Sequence, residues 1–318
     1  MRITWFSEWS ANIETLPRDF KNMRTEYAWY LAQGASHYSI QSLKEGTVPK
    51  CDLGIIIIPK NVASLKPFEW DIVQALKDTC KKYAFMQEGP SWYFQELNLM
   101  ETFWFYNVML NADFFLAHNR IDLNYYDGLL NKRGYINPTL MIDDLIQDLP
   151  VMERDNVIVG GNIGNFYGGF NSMVVGLEIA EKVYAPKMGR MKPEEKSVNE
   201  IQHLPYLEWY DWIVKLNEFK YAVHLNPNNI AGTFSLNCAY LGIPCIGSIH
   251  TDTQRICFPD LSVKPTDVGS AKQLIRHLRD DATFYKLVSE KAKRMFIEHF
   301  SEEAYKENWR NILKKEFN

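Results

Sequence analysis

Long apolar runs are missing from this chain of 318 residues. Its longest purely aliphatic stretch is Ile55–Ile58, far short of the roughly 18 to 20 residues that span a bilayer, so no transmembrane segment is expected. The opening residues, MRITWFSEWS, lack the continuous apolar segment of a signal peptide and read as a first strand. Cysteine is sparse: Cys51, Cys80, Cys238, Cys245 and Cys257 are odd in number and form no C-x-x-C pair. Buried, reduced thiols and a cytoplasmic setting follow. No Asp-x-Asp and no H-E-x-x-H occurs, which removes two common ways of holding a catalytic divalent ion. No metal and no cofactor is expected. The glycines of GGNIGNFYGGF (Gly160–Phe170) spell neither G-x-G-x-x-G nor a Walker A loop, so a dehydrogenase or P-loop NTPase lacks its signature. Excess positive charge is absent as well: the net charge of −4 makes no global case for nucleic acid or anionic membrane.

What is present is an ordinary globular composition, 46% hydrophobic and 23% charged, long enough for two domains of about 150 residues. Strand-like runs alternate with helix-like runs throughout. In the first half strands are read near Arg2–Phe6, Ser36–Ile40, Leu53–Ile58, Tyr83–Met86 and Phe114–Ala117. Leu16, Phe20, Met23, Tyr27 and Leu31 recur at helical spacing, Ile72, Leu76 and Cys80 share a helix face, and Phe103–Leu110 is apolar nearly all round, predicting a buried helix. A less periodic stretch from Ile136 to Asp155, with Pro138 and Pro150, reads as a domain junction. Strands then follow near Asn156–Val159, Val183–Ala185, Ile201–Leu204, Tyr221–Leu225 and Ile243–Gly247, and the last ~50 residues read as helical. Strands separated by helices predict parallel sheets buried on both faces. The expected architecture is α/β: two Rossmann-like domains, residues 1–145 and 150–295, and a C-terminal helix within 296–318.

The stretch YAVHLNPNNIAGTFSLNCAYLGIPCIGS (Tyr221–Ser248) is the most informative. It reads as a strand, a polar loop, a helix opening at Thr233–Ser235 and a second strand. Thr233 and Ser235 are N-cap types, and a loop feeding a helix whose first turn is hydroxyl-rich leaves backbone N–H groups pointing outward, an arrangement that favours anions and phosphate above all. An ordinary crossover with a well-capped helix accounts for the same residues.

From Ile201 onward the chain resembles the nucleotide-sugar half of GT-B glycosyltransferases. The likeness is carried by HLPYLEWYDWIVKLNEF (His203–Phe219), AGTFSLNCAYLGIPCIGS (Ala231–Ser248) and FPDLSVKP (Phe258–Pro265), and it covers roughly residues 156 to 300. It implies a sugar nucleotide, with a UDP-sugar as the leading choice, gripped by the C-terminal domain. An acceptor would be held by the N-terminal domain across a cleft, and a last helix would cross back to that domain. Donor phosphate would meet Gly169, Gly232, Thr233, Phe234 and Ser235, including the two hydroxyls. Arg190, Pro205, Tyr206, Leu207 and Asn237 would hold nucleobase and ribose. Two glutamates that many retaining members carry are replaced here by Ala231 and Cys238, and two expected cations by Asn162 and Gly168. Lys187, Arg190 and Arg255 are the candidates to supply the missing charge.

On the acceptor side Glu88 lies in MQEGPSWYF (Met86–Phe94), at the carboxyl end of a strand, where a cleft-lining acid belongs. Next to aromatic rings its pKa would rise, suiting a general base. Trp92 and Tyr93 are candidates for an acceptor platform, and Glu8, His118 and Asp122 are further acid–base candidates. The resulting expectation is a metal-independent glycosyltransferase acting on a glycan or glycoconjugate. A hydroxymethylated base in viral DNA is the alternative acceptor, from a loose likeness of Tyr83–Asn119 to phage DNA glucosyltransferases. A sugar-nucleotide 2-epimerase of the same fold and a non-catalytic sugar-nucleotide binder are the competing readings. Oligomeric state is not legible.

Overall fold

The computed structural model describes residues 1–317 apart from 19–24, 162, 164–166 and 188–192. The chain divides into two compact units, each built on a parallel six-stranded sheet. The N-terminal unit takes in Glu26–Pro138 with the first strand, and the chain from Lys306 onward. The C-terminal unit takes in Thr139–Tyr305.

In the N-terminal unit the order along the chain is β1 (Ile3–Ser7), α1 (Thr25–Gln33), β2 (Ser36–Ser39), α2 (Ile40–Lys44), β3 (Cys51–Ile58), α3 (Ile72–Thr79), β4 (Cys80–Gln87), α4 (Trp92–Gln95), α5 (Leu99–Asn111), β5 (Phe114–Ala117), α6 (Arg120–Leu130) and β6 (Gly134–Ile136). The sheet runs β2-β1-β3-β4-β5-β6, with Ile3 opposite Leu53, Ile58 opposite Gln87 and Met86 opposite Leu116. Parallel strands need crossover helices on both faces, so their side chains are apolar on both. On one face Phe85 is ringed by Phe105, Phe115 and Tyr126 at centroid distances of 5.6 to 5.9 Å. On the other, Trp5 stacks on Trp29 at 5.4 Å, and Trp29 Nε1 donates to Pro138 O at 2.8 Å.

All five strands expected in this half are present. The three-residue β6, too short to show a period, was not foreseen and overlaps the start of the supposed junction at Ile136. The helix expected to be buried over Phe103–Leu110 is buried on one face only. Phe105, Val108 and Met109 are buried in α5, while Phe103 is 62% and Leu110 44% exposed. Only one side of α5 can reach a sheet, whatever the composition of the other.

In the C-terminal unit the elements are β7 (Asp155–Val159), α7 (Gly169–Gly176), β8 (Val183–Ala185), β9 (Ile201–His203), α8 (Trp209–Leu216), β10 (Phe219–His224), α9 (Thr233–Leu241), β11 (Cys245–Ser248), α10 (Asp252–Cys257), β12 (Ser262–Val263), α11 (Val268–Asp280) and α12 (Ala282–His299). The sheet order is β12-β11-β10-β7-β8-β9. Every strand expected in this half is there, with the two-residue β12 added at an edge.

The final helix, α13 (Glu302–Phe317), buries Tyr305, Trp309 and Ile312. From Lys306 it belongs to the N-terminal unit, where Glu316 accepts from Tyr135 Oη at 2.6 Å and pairs with Arg133 at 3.0 Å.

One side chain holds together the amino-terminal edge of the C-terminal sheet. Arg154, just before β7, donates from Nε to Asn217 O (3.1 Å) and from Nη2 to Asn217 Oδ1 (2.6 Å) and Leu241 O (2.8 Å). Asn217 caps α8 and Leu241 ends α9. The guanidinium therefore sits on the negative ends of two helix dipoles, which balance its charge without a carboxylate. Arg154→Ala is expected to lower the unfolding free energy by roughly 2 kcal/mol, because charged hydrogen bonds are lost and buried carbonyls are left unpaired. Arg154→Lys should recover less than half of that. Urea unfolding measures both, and a midpoint unchanged in Arg154→Ala would refute the clamp.

Candidate functional site

Strand order reverses between β7 and β10. β8 lies on one side of β7, and β10, the fourth strand of the unit, lies on the other. In open α/β sheets ligands bind at the carboxyl ends of strands at such a switch point. Three segments converge there: the turn after β7, the start of α7 and the start of α9.

Helix α9 begins after Gly232, whose φ is +82°. A Cβ at Gly232 would lie 2.0 Å from Thr253 Oγ1 and 2.4 Å from Thr251 Cγ2, so both the conformation and the space require glycine. Thr253 Oγ1 donates to Gly232 O at 3.0 Å and fixes the turn. No side chain caps the helix, and its first internal bond runs from Leu236 N to Gly232 O. The N–H groups of Thr233, Phe234 and Ser235 are thus the free donors of its first turn. Helix α7 starts at Gly169, after Gly168 at φ +69°, where a Cβ would lie 1.8 Å from Leu225 O. Ser172 joins the two segments, donating to Gly168 O (2.8 Å) and accepting from Leu225 N (2.9 Å).

Some expected contacts are not available. The Ser235 hydroxyl is not on the phosphate side: it is 2% exposed and donates to Gln254 Oε1 at 2.9 Å, leaving only the backbone N–H to face a ligand. Asn237, expected at the ribose, is 3% exposed. Its amide accepts from Trp212 Nε1 at 2.9 Å and donates to Thr233 O at 3.2 Å, so both ends are satisfied within the protein. Tyr206 is 64% exposed. Pro205 and Leu207 line a hollow of about 240 Å³ against α8. Arg190 and Asn162 lie outside the described residues. Arg255 is paired with Asp252 on α10, and Lys187 is exposed just after β8. Cys238, in the place of a family glutamate, is fully buried.

In the N-terminal unit Glu8, Glu88 and His118 follow β1, β4 and β5, on the carboxyl edge of that sheet. The Glu88 side chain is exposed rather than sunk among rings, and its N–H donates to Ile58 O at 2.8 Å. Trp92 and Tyr93 are half-buried and meet edge to face at 4.5 Å. Lys60, missed by the sequence reading, follows β3 and lies 4.2 Å over the Tyr93 ring and 5.3 Å over Trp92, with Glu96 at 3.5 Å. Its signal was available: it is the first charged residue after an apolar strand. Glu8 is exposed and accepts from Ser64 Oγ at 3.4 Å. Asp122 drops out as an acid–base candidate. It is buried and accepts from Ser91 N (2.9 Å) and Asn119 Nδ2 (2.7 Å), in a network that caps α6. His118 packs on Trp29 at 5.4 Å, its Nδ1 has no hydrogen-bond partner, and burial lowers its pKa to about 4.

Among the described residues no group of three or more His, Cys, Asp and Glu is placed to hold a metal ion, and no helix is long and apolar enough to cross a membrane. A cavity of about 600 Å³ opens beside Arg154, Asn217 and Phe296, at the amino-terminal edge of the C-terminal sheet.

Known structures supply the remaining comparison. Sucrose-phosphate synthase from Thermosynechococcus elongatus superposes with a TM-score of 0.65 at 11% identity, over 87% of this chain and 77% of that one. Anabaena HepE, solved with UDP, gives 0.68 at 8%, over 99% and 100%. The E. coli trehalose-6-phosphate protein bound to UDP-2-fluoro-glucose gives 0.63 at 10%, over 91% and 77%. The chain has the GT-B fold. Identities this low carry the fold and nothing finer. No family model and no curated protein sequence matches.

The GT-B scaffold here encloses neutral histidines. His37 accepts from Ser7 Oγ at Nε2 (2.8 Å) while its Nδ1 donates to Ala11 O (2.8 Å). Burial lowers the pKa of His37, His118 and His224 to about 4 in each case. Between pH ~6.5 and ~4 the unfolded chain binds protons that the folded chain refuses, so stability falls as pH is lowered through that window. The loss is expected to approach 3 kcal/mol per histidine as an upper bound. Unfolding midpoints recorded from pH 7.5 to 4.5 check this, and a flat profile would contradict neutral burial.

Proposed function

We propose that this chain is a glycosyltransferase that takes a sugar from a nucleotide-diphosphate sugar, a UDP-sugar first, and passes it to an acceptor hydroxyl. The observation that carries the reading is the first turn of α9, with three free N–H groups behind a glycine that Thr251 and Thr253 lock in place. Aligned N–H dipoles of this kind stabilise the negative charge that builds on a departing diphosphate. Two structures sharing the fold, as reported above, were solved with UDP or a UDP-sugar analogue.

In the proposed reaction the bond from the sugar's anomeric carbon to the diphosphate oxygen breaks with its electron pair leaving on phosphate. The acceptor oxygen forms the new bond and loses its proton to a base. Glu88, exposed just past β4 and four residues before Trp92 in the chain, is the carboxylate we assign to that proton. The acceptor is taken to be a glycan or glycoconjugate, with hydroxymethylated DNA as the alternative. Helix N–H groups stand in for a metal on the diphosphate.

A UDP-sugar at 100 times its Kd should add about 2.7 kcal/mol of stability. The shift should be the same with and without EDTA. A panel of UDP, GDP, TDP and CDP sugars that leaves the melting temperature unmoved, or moves it only with divalent ions, would sink the donor reading. Production of an epimer from donor alone would favour the 2-epimerase.

Glu88→Gln should keep fold and donor affinity while turnover falls by about 10² to 10⁴. Near-normal turnover at saturating donor and acceptor would return Glu88 to the status of a loop residue.

A further inference from the structure

The segments that build the switch point contain no fixed charge. From Asn156 to Leu177, and again from Tyr221 to Thr251, the chain has no Asp, Glu, Lys or Arg. These segments by themselves would therefore offer only dipoles to a diphosphate carrying two negative charges. One histidine among them is buried and makes no hydrogen bond among the described residues. His224 ends β10 and is 6% exposed, and neither ring nitrogen has a hydrogen-bond partner among the described residues. The contrast is His37, whose two ring nitrogens are both bonded.

The ring of His224 is wedged between the two anion-facing turns. Its centroid is 5.1 Å from that of Phe234, in the first turn of α9. A Cβ on Gly160 would lie 2.7 Å from its Cγ, and one on Gly161 would lie 3.7 Å from its Nε2. Only a glycine turn after β7 leaves room for the imidazole. A mostly buried ring that makes no hydrogen bond among the described residues can take one from a ligand at this edge.

We propose that His224 is the counter-cation of the bound donor: neutral in the free protein, it takes a proton from solvent when a nucleotide-diphosphate sugar docks against α9. The inference rests on the donor reading above and assigns a positive charge to the described part of that site. The only bond formed is N–H on the imidazole, and the complex gains one positive charge against the two on the diphosphate.

Burial is the only cause of the low pKa, about 4, of the free ring. An anion placed beside it in a poorly solvated site reverses that balance. One carboxylate meets the turn after β7 among the described residues: buried Glu195 accepts from Ile163 N at 3.2 Å. α7 has no ionisable residue, and α9 has only Cys238 and Tyr240. The turn after β7 carries Tyr167, beside Gly161. Asp155 of β7 and Lys220 and Tyr221 of β10 lie towards the opposite ends of their strands. β11 carries Cys245, and past it His250 Nδ1 meets Pro227 O at 2.9 Å. His250 is the one other histidine near the loop and serves as the control.

Titration calorimetry of UDP-glucose into the whole chain near pH 6.5, in buffers of different ionisation heat, counts the proton. A diphosphate diester does not titrate in this range, so uptake belongs to the protein. More than half a proton per ligand is expected, with a Kd that weakens by up to about tenfold per pH unit from pH 6 to 8. In His224→Gln both effects should vanish, and affinity near pH 6 should fall at least tenfold. His250→Gln should keep both. Tight binding with no proton uptake and a flat Kd overturns the role of His224 and leaves the donor reading standing. Uptake that survives in His224→Gln overturns it too. Should His224→Gln fail to fold, the ring ¹⁵N shifts of His224 in the unmodified protein decide: imidazolium values at saturation support the proposal, and neutral values refute it. No binding of any UDP, GDP, TDP or CDP sugar at any pH sinks the donor reading, and this inference with it.

Discussion

Parallel pairing is the constraint on which the rest of this molecule depends. Every pairing between the named strands of either sheet is parallel. A parallel strand cannot return by a hairpin, so each connection crosses a face of the sheet, usually as a helix. Both faces are then covered, and strands such as Cys51–Ile58 must be apolar almost throughout. Polar chemistry is pushed to the strand ends. Lys60, Glu88, His118 and His224 all stand at or just past the carboxyl end of a strand, and that edge is where the helices begin and their N–H groups point.

The C-terminal unit takes this logic further by using dipoles in place of charges. Gln254, fully buried, joins the pieces: it accepts from Ser235, donates to Cys245 O at 2.7 Å, and fills the space a side chain at Gly247 would need. Thr251 and Thr253, also from the segment after β11, close on Gly232. The turn ahead of α9 is thus held by residues that come after α9 in the chain. A turn held in this way is fixed in advance, which is the condition under which dipoles stabilise charge most. Burial alone leaves His224 neutral, and it makes no hydrogen bond among the described residues.

Much of the fold was legible because its signals are local. Ile72 and Leu76 at helical spacing, the apolar run of β3 and Gly232 ahead of Thr233 each reflect a period or a turn that a few neighbouring residues settle. The exceptions have physical reasons. β6 and β12, of three and two residues, are too short for a period and exist only because a neighbouring strand pairs with them. In α5, composition suggested burial all round, yet a helix lying on one sheet has only one face to bury.

The site divides along the same line. By itself the sequence determined the α/β alternation, the strand ends at which to look, the glycine turn before α9 and the absence of charge around it. All of these are properties of contiguous residues. Tertiary structure alone decided that the Ser235 hydroxyl is taken by Gln254, that Asn237 is satisfied by Trp212 and Thr233, that Lys60 lies over Tyr93, and that His224 has no hydrogen-bond partner among the described residues. Whether a polar atom is free or occupied depends on groups brought from elsewhere in the chain, and no local pattern records which of them arrive.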